Sequence, residues 1–474
     1  MSALRRIVIV GGGFSGTVLA AHLLRQATQP LSVTMIDSAP PARGLAYADR
    51  NHPFLLNVPA GRMSAMATRP LEFLDFARRS RPDATAEDFL PRALYGQYLE
   101  SVLRETQRLA PASAHLTCLR GRVTGIRREA AAAASTSRLR LADGRELIAD
   151  QVVLALGNPP PATLPACESL RGSPAWTPDP WAGPLHFRAG ETLLLIGTGL
   201  TMADLAAAAA DATGGRVTLH AISRHGLLAH PQGAGGHAAF ETDPRSLLHA
   251  AAFSVRQLMR QVRRLARDFE ASGGDWREVI SFVRAHAPAL WQRLPERERR
   301  RFLRHLATWW DIHRHRLPRA TFERLRALRE ARALGIHAGR IVNIAAEGMG
   351  ARVTWRPRGA SATRTLRVDR VINCTGPDYD CRQSRDPLLV QLLAQGIASP
   401  CPLGLGLRTA DHGALLSARG DVVRGMHYLG PMLRSGYWEC TAAPELRVHA
   451  EKLAQHLLAN ITIPSTHRTQ LHSS

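Results

Sequence analysis

The sequence predicts an α/β fold built twice over, and three observations carry that prediction. An apolar strand runs straight into glycines at Ile7-Val8-Ile9-Val10-Gly11-Gly12-Gly13-Phe14-Ser15-Gly16 and again at Leu193-Leu194-Leu195-Ile196-Gly197-Thr198-Gly199. Each opening has a matching close, Ala149 to Gly157 in the first copy and Val368 to Gly376 in the second. Between them lie equivalent strand pairs, one starting Gly121-Arg122-Val123-Thr124-Gly125-Ile126 and the other Gly339-Arg340-Ile341-Val342-Asn343-Ile344. Strand, glycine turn and helix in that order open a Rossmann-like dinucleotide-binding unit.

Residues 6–37 read as strand, turn, helix and strand, with Val18–Leu24 in the helix and Leu31–Asp37 in the second strand. A long irregular stretch rich in Pro, Gly and Asn follows from Pro40 to about Met66, and such a loop in a compact fold marks function or disorder. Helices fit 70–79 and 94–109, a small β region fits 115–157, and Pro159-Pro160-Pro161 breaks regular structure. Residues 162–190 read as loop. The strand–turn–helix–strand pattern then restarts at 191 and runs to Arg224. Residues 240–335 break the duplication: rich in Arg, Leu, His and Ala, with helical periodicity, they read as a helical insertion in the second unit. Strands resume at about 336–356 and 365–374. Gly-rich turns, a strand near Met426–Leu429 and a helix from about Pro444 to Leu458 complete the chain, before a polar tail from Pro464 that is expected to fray.

At 474 residues the chain is long for one core, so two or three domains are expected. Its 45% hydrophobic and 21% charged residues are those of a soluble globular protein. The net charge of +22 is carried almost wholly by arginine, because Lys452 is the single lysine. Such a charge suits nucleic acid or an anionic surface, but an arginine bias more often reflects a GC-rich genome than a binding task, and no specific nucleic-acid partner is expected. One lysine leaves Schiff-base chemistry and a Walker-type phosphate lysine effectively excluded. The six cysteines (118, 167, 374, 381, 401, 440) form no C-x-x-C or C-x-x-x-x-C pair and no zinc spacing, so neither a redox disulfide nor a metal site is expected. The apolar run after Leu4-Arg5-Arg6 is too short for a signal peptide, and no stretch is apolar enough to span a membrane. These features predict a reduced, cytoplasmic protein.

Gly11-x-Gly13-x-x-Gly16 follows a strand and opens a helix, the context that separates this motif from a chance glycine-rich turn. The first glycine permits the tight turn, the second lets a pyrophosphate approach the backbone, and the third lets helix pack on strand. Asp37 ends the second strand about 20 residues on. A carboxylate there accepts from ribose hydroxyls and repels a 2′-phosphate, so the site suits FAD or NAD over NADP. The second motif, Gly197-Thr198-Gly199-Leu200-Thr201-Met202, has Met202 at the third position, which predicts looser helix–strand packing. Its next strand ends in Ser223-Arg224-His225-Gly226. Arg224 at the end of that strand is a natural partner for a 2′-phosphate, favouring NADPH, against the alternative of one surface arginine among many.

On these residues the chain resembles the two-dinucleotide flavoproteins, and specifically an FAD/NAD(P)-binding protein family related to the flavin N-hydroxylating monooxygenases. The resemblance runs nearly full length. It rests on Gly44-Leu45-Ala46-Tyr47, Leu56-Asn57-Val58-Pro59, Met63-Ser64, Phe89-Leu90-Pro91-Arg92 and Tyr95-Gly96-Gln97-Tyr98-Leu99, then on the second glycine motif. It continues through Trp310-Asp311-Ile312-His313-Arg314-His315-Arg316, Trp438-Glu439 and Pro444-Glu445-Leu446-Arg447. Members use FAD and NADPH, and one branch hydroxylates the amine of a small amino acid. The resemblance implies that the 43–66 loop lies along the flavin with Asn57 near its ring, and that Cys440–Leu446 brings backbone N–H groups to the ring's pyrimidine edge.

The expected cofactor-binding residues are Gly11, Gly13, Phe14, Ser15, Gly16, Asp37, Tyr47, Asn57, Met63, Val123, Gly157, Gly197, Gly199, Thr201, Arg224, Gly376, Pro444, Glu445 and Leu446. Residues 1–188 and 368–474 are expected to form a discontinuous FAD-binding domain, 189–236 with 336–367 an NAD(P)H-binding domain, and 237–335 a helical insertion serving as substrate or interface element. Arg304, His305, Trp310, Arg314, His315 and Arg316 in that insertion form a cationic, aromatic-containing cluster suited to a substrate carboxylate. Arg304, His305, Arg314 and His315 are the candidate ligands, with a solvated basic face or an interdomain salt-bridge network as the alternative. The expected reaction takes hydride from NADPH to FAD and oxygenates a small amine or amino acid with molecular oxygen, through a flavin peroxide. Two other readings stay open: a flavin reductase serving a partner, and a non-catalytic arginine-rich binding protein on a flavin fold. A homo-oligomer is compatible with the sequence, and no residue stands out as acid or base.

Overall fold

The computed structural model describes residues 4–130, 135–233 and 239–459, so the tail from Pro464 lies outside it. From its N-terminal end the chain forms β1 (Arg5–Val10), α1 (Phe14–Gln26), β2 (Leu31–Asp37), α2 (Glu72–Arg78), α3 (Arg92–Leu109) and β3 (Ala114–Arg120). An antiparallel meander of β4 (Val123–Ala130), β5 (Ser135–Leu141) and β6 (Glu146–Ala149) leads into β7 (Gln151–Leu154). The stretch read as loop contains one short strand, β8 (Trp176–Thr177). The second unit opens with β9 (Thr192–Ile196), α4 (Leu200–Ala212) and β10 (Thr218–Ser223).

The helical insertion follows as seven helices: α5 (Arg245–Phe253), α6 (Val255–Ala271), α7 (Trp276–Ala285), α8 (Ala287–Arg293), α9 (Glu296–His305), α10 (Ala307–Arg314) and α11 (Arg319–Glu330). Then come β11 (Leu334–Glu347), β12 (Gly350–Pro357), β13 (Arg364–Val368) and β14 (Arg370–Asn373). The last segment holds α12 (Pro387–Ala394), β15 (Ala414–Leu416), β16 (Val422–Tyr428), the single-turn α13 (Arg434–Tyr437) and α14 (Ala443–Ala459).

The first sheet has the order β15-β16-β7-β1-β2-β3, parallel except at β15. Ile7, Val8, Ile9 and Val10 are all buried, as a parallel strand covered on both faces requires. The second sheet runs β13-β12-β11-β10-β9-β14-β8. Each unit is therefore a Rossmann-like parallel sheet with an antiparallel meander attached, and the duplication legible in the sequence is a duplication of fold.

Two differences from the expected division appear. β14 pairs in parallel with β9, and β8 pairs with β14, so Arg370–Asn373 and Trp176–Thr177 belong to the second sheet. The boundary expected at 367/368 falls one strand early, because a strand's sheet is set by its distant hydrogen-bond partner. Helix α12, in a region read as turns, packs on the first unit's meander. There Gln391 pairs with the backbone of Ile126, accepting from its N–H (2.9 Å) and donating to its carbonyl (3.0 Å). The insertion does not stand alone either. Leu247, Val283, Leu290 and Trp291 share one core with Cys401, Leu405 and Trp438 from the last segment.

Candidate functional site

The first glycine turn is as tight as its sequence requires. Gly11 has φ +110°, and a Cβ there would lie 2.1 Å from the Ala155 carbonyl oxygen on β7's continuation; a Cβ on Gly16 would lie 2.0 Å from the oxygen of Gly11. Gly13 caps α1, whose first amides point out of the turn. Asp37 closes the turn from the end of β2: its Oδ2 accepts from the Gly12 N–H (2.7 Å) and its Oδ1 from the Ala39 N–H (2.9 Å). Each oxygen keeps a lone pair for a ribose hydroxyl.

From this turn a cleft of about 1130 Å³ runs between the two units. Gly11, Gly13, Phe14, Ser15, Asp37, Tyr47, Gly157, Thr201, Gly376 and Leu446 line it, so ten of the residues singled out in the sequence share one cavity. Burial lifts the Tyr47 phenol to about 12, and the ring stands edge-on to Tyr95 at 4.6 Å. Met63 and Val123, expected among the cofactor ligands, are buried in the hydrophobic core and do not line the cleft. Asn57, Pro444 and Glu445 open instead on a second cavity described below.

The sequence reading missed a pair that spans the cleft. Arg92, at the start of α3 in the first unit, donates to Asp204 of α4 in the second at 2.6 Å, and its Nε donates to the Leu55 carbonyl. Both residues line the cleft. Burial pushes the Asp204 carboxyl up, against the lowering effect of Arg92. The signal was available only as two scattered charges, in the Pro91-Arg92 and Ala203-Asp204 dipeptides, 112 positions apart.

The second glycine turn repeats the first at Gly197, with φ +114° and a built Cβ 2.7 Å from the Cys374 carbonyl oxygen. Gly199 caps α4. The packing expected to loosen at Met202 does not: its side chain is fully buried in a core with Leu193, Leu195 and Ala221. Where Gly16 lets helix touch turn, Met202 fills the space between helix and sheet. At the end of β10 the Ser223 hydroxyl meets Thr198 Oγ1 at 2.9 Å and accepts from the Gly226 N–H, which commits the serine to the loop. Arg224 is exposed and forms no ion pair with a carboxylate among the described residues.

A cavity of about 1380 Å³ lies between the insertion and the first unit's long loop. Asn57, Arg62, Glu278, Ser281, Arg314, His315 and Arg316 are among its walls. Arg304 and His305 are exposed at the end of α9, away from it. Arg314 is buried in an ion pair with Glu439, which also accepts from Trp310 Nε1 (2.8 Å). Arg284 joins this network through Glu439 at 3.9 Å and pairs with Glu445 at 2.5 Å. His315 is held well below the usual imidazole range by burial and then by the Arg314, Arg284 and Arg434 charges, so it is neutral. Among the described residues Arg316 is left without a bonded carboxylate. Its guanidinium reaches Ser281 Oγ (3.3 Å) and the Arg277 carbonyl (3.4 Å), and burial lowers it to about 10, still a cation at neutral pH.

The two cavities share a wall. At the start of α14, Thr441, Ala443 and Leu446 face the cleft while Ala442, Pro444 and Glu445 face the insertion cavity. The loop from 43 to 62 does likewise, its first part in the cleft and Asn57 to Arg62 in the cavity.

Residues 8–159 match the family model described as FAD-NAD(P)-binding. Among curated proteins none matches this sequence. L-Lysine 6-monooxygenase from Pseudomonas syringae has a similar structure, with a TM-score of 0.62 and 16% identity over 96% of this chain and 99% of that one. Ornithine N-hydroxylase from Kutzneria sp. 744, solved with reduced FAD, NADP+ and L-ornithine, gives 0.60 and 12% over 97% and 100%. Bacillithiol disulfide reductase from Bacillus cereus gives 0.51 and 13% over 97% and 100%. The chain thus carries an FAD-NAD(P)-binding domain at residues 8–159 and has, end to end, the two-dinucleotide fold that flavin N-hydroxylating monooxygenases share with flavin disulfide reductases.

Proposed function

We propose that this chain is an FAD- and NADPH-dependent monooxygenase acting on a small substrate of the amine or amino-acid class, with molecular oxygen as co-substrate. The observation that carries the reading is the shared wall: one helix start and one loop separate a dinucleotide-sized cleft from a second, charged cavity. A flavin ring at the end of the cleft would meet a substrate entering from the insertion side. The bound cofactors supply hydride transfer from nicotinamide to flavin and oxygen activation at the reduced ring.

The protein's part is positional and electrostatic. Gly11, Gly13 and the α1 N-terminus hold a pyrophosphate, Asp37 a ribose, and Arg224 a 2′-phosphate. Glu445 in the first turn of α14 is neutralised by Arg284, so the positive end of that helix is left to face the cleft and stabilise negative charge on a reduced ring. Arg316 gives the insertion cavity a cation for an anionic substrate group. Five of the six cysteines are buried, Cys118 is exposed and none is paired, which sets this chain apart from a dithiol mechanism on the same fold.

The test is a purification followed by anaerobic and aerobic spectroscopy. The protein should carry FAD, bleach with NADPH under argon, and regain colour with oxygen while a small amine or amino acid becomes hydroxylated. Reoxidation that yields only peroxide with every such compound would favour a reductase serving a partner. A colourless protein indifferent to NADPH would end the flavoenzyme reading.

A further inference from the structure

At the end of the second unit's β10 the Arg358 side chain meets His225, the neighbour of Arg224, although 133 positions separate the pair in the sequence. Ala338 on β11 is the shared contact. Gly226 sits so close to it, with φ +61°, that a Cβ there would lie 2.9 Å from the Ala338 nitrogen; this draws the Ser223–Gly226 loop onto β11. The Arg358 N–H donates to the Ala338 carbonyl (2.9 Å), which holds the turn after β12 at the same place. The Arg358 guanidinium then reaches His225 Nδ1 at 3.1 Å. A guanidinium can only donate, so Nδ1 is the acceptor and the ring proton sits on Nε2, which is left as a donor. Burial, then Arg358, then Arg224 push the His225 imidazole below its usual range, so both arginines lie within electrostatic reach of one ring. Both arginines are exposed, and among the described residues neither forms an ion pair with a carboxylate.

We propose that Arg358 and His225 complete, with Arg224, a three-donor receptor for the 2′-phosphate of NADPH, and that Arg358 is a specificity-determining residue for that cofactor. The inference rests on the reading that the second unit takes NADPH. The Arg358–His225 pair stands beyond the end of β10 beside the exposed Arg224. Two guanidinium groups and an Nε2 donor there suit a phosphate dianion and have no such partner in NADH, where a hydroxyl takes its place. The arrangement also explains why the serine is turned inward: its hydroxyl builds the loop, and recognition falls to the charged residues on either side.

The experiment is calorimetric titration of the FAD-loaded protein with 2′,5′-ADP and, separately, with 5′-AMP. The native chain should bind 2′,5′-ADP much more tightly than 5′-AMP. Arg358→Ala should weaken 2′,5′-ADP by roughly tenfold to a hundredfold, as loss of a charge-assisted hydrogen bond does. It should leave 5′-AMP binding and the flavin spectrum unchanged. Arg358→Gln, which keeps a donor without the charge, should fall between. If Arg358→Ala binds 2′,5′-ADP as the native chain does, the receptor is wrong while the NADPH reading stands. A native chain that does not distinguish the two nucleotides overturns both.

Discussion

Arg314 of the insertion and Glu439 of the last segment form an ion pair with side chains only 5% and 4% exposed, and this pair locks the insertion to the strand-helix junction that ends in α14. The lock has a second arm, Arg284 to Glu445, and its acid is set by Trp438, a buried residue with φ +53° stacked on Trp291 at 4.9 Å. Breaking a buried pair from one side leaves a charge without compensation. Arg314→Ala should therefore cost about 3–5 kcal/mol in chemical denaturation. Arg314→Met combined with Glu439→Gln, which removes both charges and keeps an acceptor for Trp310 Nε1, should recover part of that loss. If the single variant is as stable as the native chain and only substrate affinity falls, Arg314 is a substrate ligand after all.

The two glycine motifs predict opposite responses at the same position. Gly16→Ala drives a methyl into the Gly11 carbonyl, and the protein should purify without flavin. Met202→Ala opens a cavity in a filled core and should destabilise by about 2–5 kcal/mol with flavin content unchanged. Flavin absorbance and thermal unfolding of the two variants separate these outcomes. A yellow, stable Gly16→Ala protein would contradict the turn geometry.

Arg316 is a half-buried cavity cation without a bonded carboxylate among the described residues, so Arg316→Ala should raise KM for an anionic substrate by about tenfold or more and leave the rate of flavin reduction by NADPH untouched. Arg316→Lys should restore part of the affinity. An unchanged KM in the alanine variant would remove Arg316 from substrate binding.

His427 sets a pH dependence. Burial lowers its imidazole to about 4 from an ordinary 6.5. The unfolded chain therefore binds the proton more readily than the native chain between those values, so stability rises with pH across this window and is lost as pH falls from 6.5 toward 4. The contribution is roughly 3 kcal/mol at its limit. Denaturation midpoints followed from pH 7 to pH 4 should fall steeply in the native chain and less steeply in His427→Gln. Parallel curves would show that another group governs acid stability.

Local geometry was legible because it is made of near neighbours. The glycines of Gly11–Gly16, the acid at Asp37, the repeat at Gly197 and the arginine after β10 each show as residue types spaced within about 30 positions, even though Ala155 and Cys374 pack against the two turns from far along the chain. The same holds for the insertion, whose helical period sets it off from the strands around it.

Tertiary structure decided what no spacing encodes. It assigned β14 to the second sheet, because β9 offers the hydrogen bonds. It filled the place of a third glycine with Met202 and moved Met63 and Val123 into the core. It turned Asn57, Pro444 and Glu445 toward the cavity beside the cleft, and it spent Arg314 on Glu439 while bringing Arg358 to His225. In each case the deciding partner lies on another element, often more than a hundred residues away. A charge in such a chain has no role until folding determines which opposite charge, or which empty space, stands in front of it.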